Sequence, residues 1–450
     1  MATVRPAAVA GLFYPGEPRA LASEVEELLG GVEQLAPRLG YPKAIIVPHA
    51  GYIYSGPVAA RAYDEIGPAR GTVRRVVLLG PTHRVAVRGL ALPGADFFET
   101  PLGRIPVDAA ALESLRTVAG VVVSAQAHAM EHSLEVQLPF LQRALGTFSL
   151  VPLAIGMASA AEVAAVLEKL WGGPETLIVV STDLSHYHPY EQARAIDGAT
   201  IDKIERFSTE ISHDEACGAT PLAGLLQLAR SKGLAVERLA ACNSGDTAGS
   251  KDRVVGYSSF ALYEPGARVA AEAAGPVLLR IAREAIACGL AKKAQTLPAD
   301  PWLRLAGATF VTLTQDGRLR GCIGSLEAVR ALGEDVAQNA LGAAFRDPRF
   351  PPLGDPEWSS CRVEVSLLSA PKPIRFADEA DLLAQVVPGE DGIILGCDGR
   401  RATFLPQVWE SLPDRKRFLA ELVRKSGLPS ETRLGRCKVW RYRVAKFHER

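Results

Sequence analysis

Three segments of the chain deliver metal-capable side chains directly after apolar runs. They are KAIIVPHAGYIYSG with His49, RRVVLLGPTHR with His83, and TLIVVSTDLSHYH with Asp183 and His186. Neutral imidazole is the commonest biological metal ligand. An aspartate three residues before a histidine can orient its ring and raise its basicity for acid/base work. A third candidate ligand is Cys242, in the Gly-, Ser- and Asp-rich loop ACNSGDTAGSKDR. Two imidazoles and a thiolate suit copper, iron(II) or zinc, and three protein ligands leave a position open for substrate or oxygen. Each residue also has a plainer use. A strand-end histidine can bond a loop carbonyl, Asp183 can cap a helix, and a free cysteine packs as a small hydrophobe.

Other residues invite the same double reading. In MEHSLEVQLPFL, His132 and Glu135 share a helix face while Leu134, Leu138 and Leu141 form a packing stripe. His128 and His188 read as surface neighbours. Further along, LRGCIG sets Cys322 between two glycines on a strand, with Arg320 two residues earlier on the same face. A guanidinium there would favour the thiolate and make Cys322 a nucleophile; the alternative is a small core residue, with Arg320 paired to an acid. Arg346, Asp347 and Arg349 in FRDPRF form either an ion-pair loop or an anion site.

The elements that must hold these residues are legible as apolar periodicity. Strands are expected at 43–48, 74–80, 149–155 and 176–181, with helices at 18–30, 56–66, 133–146 and 159–171. Strands that are apolar throughout imply a parallel or mixed sheet covered on both faces. In such sheets ligands bind outside the carboxyl ends of the strands, so residues far apart in sequence converge there. A closing strand at 253–264 and the Pro265-Gly266 punctuation end a first domain, 1–265. A second, α+β domain spans 267–450. It has a helix at about 267–290, a hairpin turning at Asp316-Gly317, strands at 361–368, 392–396, 401–405 and 437–446, and helices near 331–345 and 414–425.

Composition removes several function classes. Lys+Arg and Asp+Glu stand at 50 each, which gives no support to a nucleic-acid or membrane-surface partner. No run approaches the roughly 18 apolar residues of a membrane span. Seven cysteines without a C-x-x-C pair fit reduced thiols in a cytoplasmic protein better than a disulfide framework.

In order along the chain, AGLFYPG, VPHAGYIYSG, LGPTHR, ETPLG, EHSLEVQLPFL, STDLSHY and CNSGDTAG resemble the Memo (mediator of cell motility) family over roughly residues 1–265. The resemblance implies a fold similar to class III extradiol dioxygenases. It also implies a metal site on His49, His83 and Cys242, with Asp183, His186 and His132 around the pocket. Extradiol enzymes use two histidines and a carboxylate on iron(II). A thiolate in the carboxylate place is softer and more oxidisable, which favours copper or other redox chemistry over ring cleavage. GRLRGCIGSLEA, AFRDPRFPPL, VEVSLLS and RRATFLPQVWE resemble the AMMECR-one family over about 275–448. The two families recur as companions of a radical S-adenosylmethionine protein. This chain lacks the cysteine trio of such a cluster, so that activity implies a separate partner.

The leading expectation is a metal-dependent oxidoreductase that holds iron(II) or copper, with zinc less favoured. His49, His83 and Cys242 would be its ligands and His186, oriented by Asp183, its acid/base, acting on a small molecule or peptide. The AMMECR-one-like domain would bind substrate or a partner. The alternative is a non-catalytic adaptor whose strand-end pocket binds a peptide or small anion. A metal-independent hydrolase using Asp183 and His186 ranks last, because no G-x-S-x-G elbow accompanies the pair.

Overall fold

The structure is a computed structural model that describes residues 2–32, 37, 39–429 and 432–449. The chain forms two compact units, one of Met1–Val32 and Tyr41–Arg268 and one of Glu33–Gly40 and Val269–Arg450.

The first unit is built on a nine-stranded sheet: β1 (Ala44–Val47), β2 (Arg75–Pro81), β3 (Leu90–Leu92), β4 (Val121–Val123), β5 (Ser149–Ile155), β6 (Thr176–Ser181), β7 (His186–His188), β8 (Ala235–Asn243) and β9 (Val254–Tyr263). Their order is β7-β9-β1-β6-β2-β5-β3-β4, with β8 also paired to β9. The central strands β1, β6, β2 and β5 run parallel, and β9 joins β1 antiparallel. This is the mixed sheet expected from the apolar runs.

Alternate residues of the central strands enter separate cores. Ile45, Val47, Val76, Leu78, Leu177 and Val179 pack with helices α1 (Pro18–Gly30) and α2 (Tyr52–Glu65) on one face. Ala44, Ile46, Val77, Leu79, Ile178 and Val180 pack on the other face with α5 (Ala160–Leu170), α6 (Tyr190–Glu205) and α7 (Ala219–Ser231). Burial on both faces is why these strands read as unbroken apolar runs. The helix expected at 133–146 is two helices, α3 (His132–Glu135) and α4 (Leu138–Leu145). Pro139 lacks the N–H an interior position needs but is tolerated in a first turn, so the helix restarts around it.

The second unit carries two four-stranded sheets. Its strands are β10 (Thr309–Gln315), β11 (Arg318–Gly324), β12 (Cys361–Leu368), β13 (Lys372–Ile374), β14 (Gly392–Cys397), β15 (Arg400–Phe404), β16 (Lys438–Tyr442) and β17 (Val444–His448). The sheets have orders β11-β10-β12-β17 and β13-β16-β14-β15, with every pairing antiparallel. Asp316 and Gly317 both take positive φ, 49° and 75°, as a two-residue hairpin turn of the I′ type demands. The single strand expected at 437–446 is two strands, β16 and β17, which pair in different sheets on either side of Arg443. Helices α8 (Ala271–Leu290) and α9 (Leu332–Phe345) cover the first of these sheets.

One expectation about the cysteines fails here. Cys397 and Cys437 form a disulfide across 40 residues. The pairing of Gly396 with Lys438 brings their neighbours face to face, with Cα atoms 4.6 Å apart, and sequence spacing carries no trace of that register. No described helix is long and apolar enough to cross a membrane.

Candidate metal centre

The strand-end residues converge as the topology requires. β1 ends two residues before His49, β2 two before His83, and β6 two before Asp183. One ring nitrogen of each of His49, His83 and His132 lies within 4.8 Å of the others. The His83 and His132 rings stack at 4.6 Å, and both stand edge-on to His49, at 5.2 and 5.4 Å.

Hydrogen bonds fix which nitrogen His49 and His83 present. The Tyr63 hydroxyl donates to Gln137 Oε1, so the Gln137 amide nitrogen points to Pro48 O and Ser181 Oγ, at 2.9 and 2.8 Å. The Ser181 hydroxyl spends its proton on Ser133 O at 2.6 Å. Ser181 Oγ therefore has only a lone pair left for His49 Nδ1, 2.8 Å away. His49 must carry its proton on Nδ1 and bare its Nε2. His83 is set the same way: Nδ1 meets Glu131 Oε1 at 2.9 Å, while its backbone N–H donates to Oε2 at 2.6 Å. The same Oε1 stands 3.4 Å from His132 Nδ1. Carboxylate and hydroxyl partners of this kind orient metal-bound imidazoles and raise their basicity.

Backbone placement explains how Glu131 and Ser133 reach so far in. Gly80 of LGPTHR leaves room for Ser133: a Cβ there would meet its Oγ at 2.7 Å. Ser133 itself donates to Pro81 O at 2.9 Å. Glu135, on the same turn as His132, turns away from the site. It is fully buried, receives Arg5, and accepts the backbone N–H groups of Ala8 and Val9 and the Tyr14 hydroxyl. The AGLFYPG segment is thereby fastened over α3.

Burial disfavours the charged form of two of the rings, His49 and His132. Burial holds His49 far below the usual histidine range, with the neighbouring His132 and His83 adding to the effect. Burial likewise lowers His132 to about 4, against an opposing pull from Glu131. For Glu131, burial alone would raise the carboxyl, but its bonds from His83 and Ser133 win and hold it at about 2. Asp183 goes the other way. Burial lifts it to about 7 although the backbone N–H groups of His49 and Ala50 oppose the change. Two imidazoles held below the usual histidine range and a carboxylate held ionised make a donor set suited to a cation.

The expected residues distribute unevenly around this group. Cys242, read as the third ligand, is not a member of it, and His132 stands there in its stead. Cys242 lies on β8 opposite Tyr257. That phenol feels both Asp183 and Cys242, so the thiol is near the pocket without joining the rings. Burial and then Asp246 push the Cys242 thiol up to about 11. The expected Asp183–His186 couple does not form. Asp183 Oδ1 accepts the His49 backbone N–H at 2.7 Å and Oδ2 stands 4.0 Å from His49 Nε2. The partner of Asp183 is thus a ligand candidate, not the base. His128, read as a surface neighbour, is 1% exposed and holds Ala91 O at 2.8 Å.

His186 faces a cavity of about 850 Å³ whose wall includes His83, His188, His213 and Cys217, with Ala195 and Ile196 of α6. Burial lowers His186, and the charge of His83 adds to that. Between His186 and His188 the pairing with β9 shifts register, and Tyr187 takes φ 62°. Bulges re-aim side chains next to functional sites.

Sequence reading missed three contributors: Glu131, Ser181 and Cys217. The first two lie inside the motifs that carry the resemblance, but neither sits at the strand-end position that singles out His49, His83 and Asp183. Cys217 follows no strand, so the strand-end pattern could not find it. Its Sγ stands 3.3 Å from His49 Nε2 and accepts the Asp183 backbone N–H at 3.3 Å.

In the second unit, Cys322 is half-buried on β11 and receives the Thr312 hydroxyl at 3.2 Å. Arg320 is not its cation: that side chain pairs with Glu357 at 3.1 Å and bonds Pro351 O. Register slips between Leu313 and Thr314, leaving Arg320 opposite no residue and free to turn toward that acid. Arg349 reaches Cys322 instead, donating to its carbonyl at 3.1 Å, and is itself held by Asp347 at 2.7 Å. FRDPRF is an ion-pair loop. Asp347 also accepts the Cys322 backbone N–H at 2.8 Å.

Residues 5–261 match the family model of the Memo-like protein, and residues 279–447 match that of AMMECR1. A MEMO1 family protein of Sulfolobus acidocaldarius is 34% identical over 279 residues, covering 57% of this chain and 98% of the relative. One from Aquifex aeolicus is 37% identical over 269 residues, covering 56% and 97%. Among solved structures, the uncharacterized protein PH0010 from Pyrococcus horikoshii is similar at 32% identity and TM-score 0.36, covering 39% of this chain and 91% of that one. The uncharacterized protein JW3007 from Escherichia coli K12 matches at 16% identity and TM-score 0.36, covering 49% and 98%.

Proposed function

The chain belongs to the Memo-like protein family, with an AMMECR1 domain behind it, and from that premise we propose that its first unit is a metal-dependent redox protein. The observation that carries the reading is the three-histidine group, with the His49 and His83 tautomers fixed from behind. Nitrogen donors of this kind suit iron, copper, nickel and zinc over magnesium or calcium. Iron(II) or copper is the favoured ion, because an oxidisable sulfur stands beside the rings and the family resemblance points to redox chemistry. Such a metal would supply a one-electron centre and a position open to substrate.

The chain's own residues define the rest. His49, His83 and His132 hold the ion, and Glu131 and Ser181 set the rings. Asp183 Oδ2, lifted toward neutrality by burial, can hold or release a proton beside His49. His186, kept neutral, can accept one in the cavity. The cavity is large enough for a small metabolite or a peptide side chain. Partnership with a radical S-adenosylmethionine protein belongs to the same proposal and rests on the family resemblance alone.

The test is anaerobic reconstitution with iron(II) or with copper(I), followed by exposure to oxygen and electron paramagnetic resonance. A bound ion that changes oxidation state and depends on His83 supports the reading. A site that takes only zinc, or an ion that air leaves unchanged, overturns the redox assignment.

A further inference from the structure

We propose that Cys217 supplies a sulfur donor to the histidine site. The inference rests on the metal reading above and adds a ligand that the strand-end pattern does not contain.

Three observations converge on this thiol. Its Sγ is 3.3 Å from His49 Nε2, the nitrogen that the Ser181 network leaves bare. A metal about 2.1 Å from an imidazole nitrogen and about 2.3 Å from a thiolate sets the two donors roughly 3.1–3.6 Å apart for bond angles near 90–110°. The observed separation falls inside that interval, so one ion can take both donors; the sulfur stands outside the group of three ring nitrogens and must move toward His83 and His132 to share their ion. Cys217 also lines the cavity together with His83, which places the sulfur on the open side of the rings.

The surroundings suit a ligating sulfur. The Asp183 backbone N–H points at Sγ from 3.3 Å, and such donors support a coordinated thiolate. Cys217 precedes Gly218, the N-cap of the 13-residue helix α7, whose positive end favours negative charge. Gly218 permits the close approach of that helix to the end of β6, since a Cβ there would meet Thr182 Cβ at 2.6 Å and Ser181 O at 2.8 Å. A bound metal would place positive charge directly on the sulfur and favour its thiolate form. Ligation breaks the S–H bond. The proton leaves to water in the cavity, the sulfur electron pair becomes the metal–sulfur bond, and neither oxidant nor reductant is consumed.

Cobalt(II) is the probe, because a thiolate ligand gives it an intense near-ultraviolet charge-transfer band that imidazole does not. With the full chain, the band should appear on cobalt binding, vanish in Cys217→Ser while cobalt is still held, and persist in Cys242→Ser. A second measurement needs no variant. Bound cobalt should slow iodoacetamide alkylation of Cys217 by roughly tenfold or more, mapped by peptide mass, and chelation should restore the rate. A band that survives in Cys217→Ser, a band lost only in Cys242→Ser, or unchanged alkylation of Cys217 overturns the proposal. If cobalt binds through the histidines without any sulfur band, this inference fails and the metal reading stands. If cobalt does not bind at all, both fall.

Discussion

Each unit places a nearly buried acid beneath a candidate reactive residue, and the two acids end differently. Glu131 grips the backbone N–H and the ring of His83; Asp347 grips the backbone N–H of Cys322 and the guanidinium of Arg349. Both carboxyls lie below their usual range. Burial opposes the change at Glu131, while at Asp347 the Arg349 bond leads. The partners decide what remains. Asp347 spends its charge on an arginine, which is permanently cationic. Glu131 faces imidazoles, which carry no permanent charge, and each leaves a far nitrogen available. A site shows itself by capacity left over, and Cys322, already served by Thr312 and framed by paired charges, has little.

The contrast can be broken at several points. The largest effect concerns Glu135, which looks like a member of the site by its helix face and is not. Glu135→Ala strands Arg5 and three further donors in the interior and should cost about 3–5 kcal/mol in denaturant unfolding of the first unit. The histidine group should be unaffected in any molecule that remains folded. A loss below about 1 kcal/mol would show that the N-terminal segment is not held as described.

His128 gives the next effect, and it depends on pH. Its folded pKa is lowered from 6.5 to about 4, by burial foremost. The unfolded chain therefore binds this proton first, so the stability His128 contributes is full above pH 6.5 and is lost as pH falls toward 4. The loss is about 3 kcal/mol. His128→Gln keeps a donor for Ala91 O but cannot titrate, and should flatten that part of the stability profile. An unchanged acid slope would place the ring in water.

Glu131→Gln tests the comparison itself. The amide can still bond His83, but the fixed negative charge is gone, and metal affinity should fall about 10–100-fold. Its counterpart, Asp347→Asn, should cost the second unit only about 1 kcal/mol, discounted because Arg349 is half exposed, and leave metal content unchanged. Equal losses of metal in the two variants would remove the distinction.

Much of this was legible in the chain, for physical reasons. The strands β1, β2, β5 and β6 announce themselves because both faces are buried, and the residues just past them must gather at one edge. His49 and His83 were found that way. His132 sits on a one-turn helix, too short for a periodicity to place, so its entry among the rings had to come from the fold. Asp183 was visible as a strand-end acid, but its partner depends on the approach of β1 and β6, parallel neighbours that bring together residues 134 apart in sequence. His128 resembles any polar helix residue until the packing of β3 buries it. The Cys397–Cys437 bond depends on the register between β14 and β16, and a register is a property of pairing, absent from either strand alone.

The central claim is that the histidine group binds a metal, and elemental analysis of the intact chain tests it most directly. Protein reconstituted anaerobically with iron(II), desalted and compared with His83→Ala at preserved circular dichroism should hold about one ion per chain, and the variant almost none. Equal metal content in parent and variant would contradict the account.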